Sequence, residues 1–381
     1  MKLFNLYKIQ KATTTSREFF INDDGIKCVH YGDIYKNYSF RFIKSSKIIN
    51  TFSKEVKNSM ILKEDSIIIP DVTETVSDYG HPTYIKYDGV PYINGTHALA
   101  ITSAGGNLKY LFYYLQNPSN IKRLQSLLLG STVFGISIKD FENFELINYK
   151  EADACQQHIV DIIGSIDDKI ENNNKIIDNN YKMLNLEMKK YIKNEFISIG
   201  ESKHISLIKS GIDKFGRNKI YLDTSSVNGY SITDESYIIT YDERPSRANM
   251  QPIINSIWFA KLKNSPKYII VKDYSADLIN NKIFSTGFCG LKIDKDFLNL
   301  FSTYITSEKF NKNKDLLCIG ATMQGVNNSD INNIKIPNFS KNDCENFNII
   351  SEPIYKYIYN LTQENKKLLE LKDLYLKKFF S

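Results

Sequence analysis

The residue types that could do chemistry are present but scattered. The five histidines are His30, His81, His97, His158 and His204, and none falls in an H-x-x-x-H or C-x-x-H spacing, so a zinc hydrolase would lack its ligands. His97 sits in the turn-like string NGTHALAI, where a lone histidine is more often a hydrogen-bonded contact residue than a catalyst. Cys28, Cys155, Cys289, Cys318 and Cys344 are odd in number and contain no C-x-x-C pair, which points to reduced core thiols rather than a disulfide framework or a metal site. No G-x-x-x-x-G-K-[ST] phosphate loop occurs, and neither SAGGN nor STGFCG fits G-x-G-x-x-G. The Pro-Pro-aromatic string of an adenine methylase is missing too. Asp71 and Glu74 in PDVTE suggest a nuclease metal pair. The E-x-K triplets Glu187/Lys189 and Glu370/Lys372, however, lie in helical stretches where residues two apart face different ways, so these acids read as surface charges. No catalytic constellation and no metal site is expected.

A repeat stands out instead. Gly130, Thr132, Gly135, Asp140 and Asn143 recur as Gly320, Thr322, Gly325, Asp330 and Asn333, at a constant offset of 190 in a chain of 381 residues. The same offset carries DSIIIPD (Asp65 to Asp71) onto NSIWFAK (Asn255 to Lys261), and Tyr31 and Asp33 onto Tyr221 and Asp223. A duplicated, catalytically silent chain suggests two related binding surfaces.

The elements that would carry those surfaces follow from periodicity. Residues 1–150 mix short strand-like runs (IKCVHYG, SIIIPDV, YINGTHALAI) with a helical stretch, LKYLFYYLQ, that stops before Pro118, which reads as a small α/β domain. Residues 151–196 change character: Ile159, Ile163, Ile166, Ile170, Ile177 and Leu184 fall on alternating steps of three and four, the spacing of a heptad seam. Residues 197–340 return to the first style, and residues 341–381 are helical again, with Ile354, Tyr357, Leu361, Leu368, Leu371 and Tyr375 as the seam. A helix of about 40 residues rises roughly 60 Å and cannot hide its apolar stripe alone. Two such helices packed antiparallel, with Asn173 and Asn174 opposite Glu364 or Asn365, would bury each other's seam. That arrangement is favoured over two helices packed separately on their own domains.

Composition sets the outer limits. With 42% hydrophobic and 24% charged residues the chain can build cores. The net charge of +6 permits a polyanionic partner without requiring one. No apolar run is long enough for a membrane span, and MKLFNLYKIQK lacks the pattern of a secretory leader, so the expected location is cytoplasmic, with no membrane partner.

The layout of α/β domain, long helix, α/β domain, long helix resembles the specificity (S) subunit of Type I restriction-modification systems. The strings carrying the resemblance are IKCVHYGDIYKN, NGTHALAI, GSTVFGISIKDFENFELINY with QQHIVDIIGSIDDKIENN, RPSRANMQP, FAKLKNS and STGFCGLKI. The junction LINYKEADACQQ departs from the family by lacking its prolines. The resemblance implies an α/β (α+β) fold with two target recognition domains, two long helices forming an antiparallel coiled coil, and internal pseudo-two-fold symmetry. It implies that each domain reads one half of a bipartite site in double-stranded DNA. It also implies that this chain does no chemistry and binds no cofactor. Two methyltransferase (M) subunits would use S-adenosylmethionine, and two restriction (R) subunits would use ATP and Mg. The rival readings are the specificity component of a Type II-like system and a non-catalytic adaptor that binds protein.

Since Arg and Lys suit phosphate or guanine and Asn suits adenine, loops rich in them are the candidate contacts. In the first domain these are Arg41, Lys44 and Lys47, with Thr73, Tyr79, His81 and His97 in turns; in the second they are Lys214, Arg217, Arg244, Arg247 and Asn249. For each, a solvated surface side chain is the competing explanation.

Overall fold

The computed structural model describes residues 1–21, 25–320 and 324–380. The chain divides into two compact units, one made of Met1–Glu171 with the chain from Lys366 onward, the other of Asn172–Asn365.

In the first unit the strand Ser66–Pro70 is buried along its whole length because both its faces are covered. Ile67 and Ile69 pack with the helix Leu108–Gln116, while Ile68 packs with Val29 and Ile85 on the other side. The main sheet runs in the order Tyr7–Gln10, Ala98–Ser103, Ser66–Pro70, Thr83–Lys86, Phe42–Lys44. Every pairing in it is antiparallel except the last. A second sheet orders Phe20–Ile21, Asn50–Phe52, Ile26–Val29 and Tyr92–Asn94. Asn107 caps the helix Leu108–Gln116 by accepting from the Tyr110 amide. The helix ends at Asn117, whose own side chain caps the next helix, Pro118–Gln125.

The second unit rebuilds this frame. Its first sheet orders Ile205–Leu207, Phe288–Ile293, Ser256–Ala260 and Tyr268–Val271; its second orders Ile238–Ile239, Lys219–Leu222, Lys282–Ser285 and Ala248–Met250. The central strands match at the offset of 190, Ser66–Pro70 onto Ser256–Ala260 and Ala98–Ser103 onto Phe288–Ile293. So do the Leu129–Gly135 and Ile319–Gly325 bridges and the short helices Ile138–Glu142 and Asn328–Asn332. Thr322 lies outside the described residues. The pairing of Tyr31 and Asp33 with Tyr221 and Asp223 is corrected: Cys28 lies opposite Ile93 as Tyr221 lies opposite Ile283. Cys28 is therefore the counterpart of Tyr221, and Tyr31 instead opens the short helix Tyr31–Asp33. The cause is a stretch between Val29 and Ser66 three residues longer than that between Leu222 and Ser256.

The long helices are Asp153–Met188 and Lys341–Phe380. On the first, Ile159, Ile163, Ile166, Ile177 and Leu184 are buried and Ile170 is half-buried. In the first unit, Ile159, Val160 and Ile163 share a core with Leu376 and Phe380. In the second, Ile177, Leu184 and Met188 share one with Tyr355, Ile358 and Leu361. Asp167 meets Lys372 in the first unit, and Asn173 meets Glu364 and Asn365 in the second, so within each unit the segments run antiparallel.

The seam of the second helix needs a correction. Tyr357 and Leu371 are 47% and 39% exposed, Ile354, Leu368 and Tyr375 are only half-buried, and Leu361 alone of the expected set is buried. The buried line runs through Phe347, Ser351, Tyr355, Ile358, Leu361, Lys372, Leu376 and Phe380. It includes polar residues that hydropathy assigns to solvent. Ser351 accepts from Asn299, the Tyr355 hydroxyl bonds Thr303, and Lys372 is paired with Asp167.

Candidate nucleic-acid interface

In the first unit the strand Ser66–Pro70 delivers Asp71 to its end, where the Asp71 amide donates to the His97 carbonyl at 3.2 Å. His97 sits at φ 60°, the left-handed region that non-glycine residues adopt only where a tight turn requires it. That turn folds the imidazole back onto Asp71, with Nδ1 3.1 Å from Oδ1. Tyr31 stands edge-on to the same ring at 5.6 Å. The histidine is 48% exposed and the aspartate 25%, so the pair can be reached from solvent.

His81 lies in a second cluster. Its Nδ1 is 2.8 Å from Ser39 Oγ, and its ring packs on Phe40 at 4.8 Å and Tyr35 at 5.7 Å. Burial lowers the His81 pKa, only partly opposed by Asp78. Tyr35 donates to the Val72 carbonyl at 3.2 Å, tying this cluster to the residue that follows Asp71. Arg41, Lys44 and Lys47 are exposed on the edge strand Phe42–Lys44 and its flanks. Hydrogen bonds from Ser46 and Ser45 anchor that turn to Asp88 and lower its carboxyl to about 2.

Two expected contacts in this unit are corrected. Tyr79 is 0% exposed, in the core with Ile67 and Ile69, and its ring cannot reach a ligand. Thr73 is buried, and its hydroxyl closes a local turn on the Thr75 carbonyl at 2.8 Å. Thr73 ends the short strand Val72–Thr73 and Tyr79 follows the short helix Val76–Asp78, and neither local composition nor polarity separates a core tyrosine from an exposed one.

The second unit gathers cations over aromatic rings. Lys219 lies 5.2 Å from the Phe215 ring centre, Phe215 meets Tyr241 edge-on at 5.6 Å, and the Arg244 guanidinium lies 4.2 Å over Tyr241 while donating to its carbonyl. Burial and the neighbouring Arg217 lower the Lys219 pKa. Lys214 and Arg217 are exposed in the stretch that carries Phe215. Arg247 is also exposed, and a methyl group at Gly287 would lie 3.0 Å from its Nη2, so the bare glycine leaves room for the guanidinium. Lys261 has its pKa lowered by burial and by Arg247, with Cys289 opposing. Asn249 is half-buried and holds the fold through its backbone, accepting at its carbonyl from the Gly211 amide at 2.8 Å.

Sequence reading missed Phe215, Lys219, Tyr241 and Lys261, and took Asp71 for a plain surface acid. The offset of 190 that aligns Asp71 with Lys261 was the available signal. Such a surface can bind phosphate through its cations, stack on bases, and donate to or accept from base edges. Among the described residues no three His, Cys, Asp or Glu side chains are grouped to hold a metal ion, and no helix is long and apolar enough to cross a membrane.

Residues 8–179 match the family model of the Type I restriction modification DNA specificity domain. Among solved structures, the chain resembles the Type I restriction-modification system S subunit from M. genitalium at 15% identity, with 100% of this chain and 95% of that one covered and a TM-score of 0.52; the two share a fold. The HsdS subunit from Thermoanaerobacter tengcongensis aligns at 11% identity over 91% of this chain and 92% of its own, with a TM-score of 0.31. No curated protein matches the sequence.

Proposed function

From a chain whose residues 8–179 match the model of the Type I restriction modification DNA specificity domain, we propose that the whole chain is a specificity subunit whose two units each read one half of a bipartite site in double-stranded DNA. The observation that carries this reading is one backbone frame used twice under different side chains. The bridges at Leu129–Gly135 and Ile319–Gly325 are the same, whereas the side chains beside them are Asp71 with His97 and Tyr31 in one unit and Lys261 with Arg247 in the other. A shared frame serves folding, and differing side chains on it suit two different half-sites.

The long helices would act as an antiparallel coiled-coil spacer fixing the gap between half-sites. Reading two half-sites about one helical turn apart, near 34 Å, calls for a rigid connection of this length. Exposed apolar residues on these helices, among them Ile349, Tyr357, Leu369, Leu374, Met183 and Leu186, support protein docking there. In this reading two methyltransferase and two restriction subunits bind the chain, and S-adenosylmethionine, ATP and Mg are used by those partners. The chain itself contributes recognition and no catalytic step.

The test is the salt dependence of duplex affinity, measured with the full chain and its methyltransferase partner. Contacts from lysine and arginine to phosphate make log affinity fall linearly with log salt, by about 0.9 per phosphate neutralised. A flat dependence would return the adaptor reading, in which the duplicated units bind protein.

A further inference from the structure

Asp71 and Lys261 occupy the same backbone position in the two units. The Asp71 amide donates to the His97 carbonyl at 3.2 Å and its carbonyl accepts from the Ile136 amide at 2.9 Å; the Lys261 amide donates to Gly287 at 2.9 Å and its carbonyl accepts from Val326 at 3.0 Å. Both partners stand at the offset of 190, His97 onto Gly287 and Ile136 onto Val326. Gly135 and Gly325 approach the two carbonyls alike, an added Cβ lying 3.4 Å from Asp71 O and 3.5 Å from Lys261 O. The frame is constant, so what distinguishes the positions is the side chain, and there the charge is reversed.

The surroundings follow that reversal. In the first unit the neighbouring position is His97, whose imidazole turns onto the carboxylate. In the second it is Gly287, whose missing side chain leaves space for Arg247, so a second cation stands near the first. Lys261 is half-buried, and the described residues give it no carboxylate partner, although several other half-buried or buried lysines of this unit have one: Lys272 with Glu352, Lys282 with Glu235 and Lys314 with Asp315. Two neighbouring cations to which the described residues bring no carboxylate are costly in the free protein, and the cost is relieved by a ligand that supplies acceptors.

We propose that Asp71 and Lys261 are the matched specificity-determining residues of the two units: Asp71 accepts from the exocyclic amine of cytosine or adenine in one half-site, and Lys261, with Arg247, donates to O6 and N7 of guanine in the other. The pairing follows from base-edge chemistry, since a carboxylate can only accept and a lysine or arginine can only donate. The proposal rests on the DNA-reading function above and adds to it the positions and the hydrogen-bonding sense of the readout.

The experiment is selection from randomised duplexes of about 40 base pairs by the full chain, wild type and variants, with sequencing of the enriched pool. The wild type yields a motif with two specified parts. Asp71→Ala lowers base preference in one part only and Lys261→Met in the other part only, each by about tenfold at one position, while Lys261→Arg retains the guanine. Preferences unchanged in both variants, or weakened equally in both parts, would overturn the assignment of these residues while leaving the DNA-reading function standing. A wild-type pool with no enriched motif would instead remove the function and the assignment together.

Discussion

Lys372 binds both carboxylate oxygens of Asp167, at 2.8 and 3.0 Å, and Tyr113 donates to the same carboxylate at 3.0 Å. The lysine side chain is 8% exposed, so the second long helix presents a buried cation where a heptad pattern calls for an apolar residue. Asp167→Ala strands that ammonium away from water and is expected to cost about 3–5 kcal/mol, whereas Lys372→Met with Asp167→Leu costs little or stabilises. Urea unfolding of the single and double variants checks both.

Gly130 allows a second prediction. It adopts φ 141°, and an added Cβ would lie 2.1 Å from the Val133 carbonyl oxygen. Gly130→Ala must open the turn that closes Leu129 on Gly135, at a cost of about 1–3 kcal/mol in thermal unfolding. Gly89→Ala carries the same backbone strain at φ 97° but meets nothing within 4 Å and is expected to cost less.

The parts of this fold that were legible in the sequence are those that recur. The block from Gly130 to Asn143 and its copy mark one bridge and one short helix in each unit, and the isoleucine ladder of the first long helix marks a buried line directly. The second long helix was misread by one position because its contacts use Ser351, Tyr355 and Lys372, whose burial depends on partners in distant segments, while Tyr357 and Leu371 are apolar and exposed. The candidate interface was less legible still. Tyr31 opens one short helix and Tyr79 closes another, and only the tertiary fold puts Tyr79 in the core and Tyr31 against His97. Lys261 enters the sequence reading only as the end of NSIWFAK and within FAKLKNS, and nothing local marks it as a contact.

His81 gives the first unit a pH dependence. Burial makes the folded chain hold the imidazole proton less readily than the unfolded chain does, despite Asp78. The unfolded state therefore binds more protons as the pH falls below the unfolded value of about 6.5. The His81 contribution is complete above that pH and is lost as the pH drops toward the lowered folded value. Stability followed from about pH 7.5 to about pH 5 should decline in the wild type and decline less in His81→Gln.

If the long helices set the distance between the reading units, then inserting four residues into both at facing positions adds about 6 Å while nearly preserving helical phase. The unspecified gap of the recognised site is expected to lengthen, with both specified parts unchanged, as read by duplex selection. An unaltered gap would separate the helices from any spacing role.

The most direct test of the central claim is a map of modified adenines in the source genome, compared between cells with and without this chain. The account predicts a methylated sequence of two short specified parts with a constant unspecified gap, lost completely when the chain is removed. A methylation map identical in both strains would contradict it.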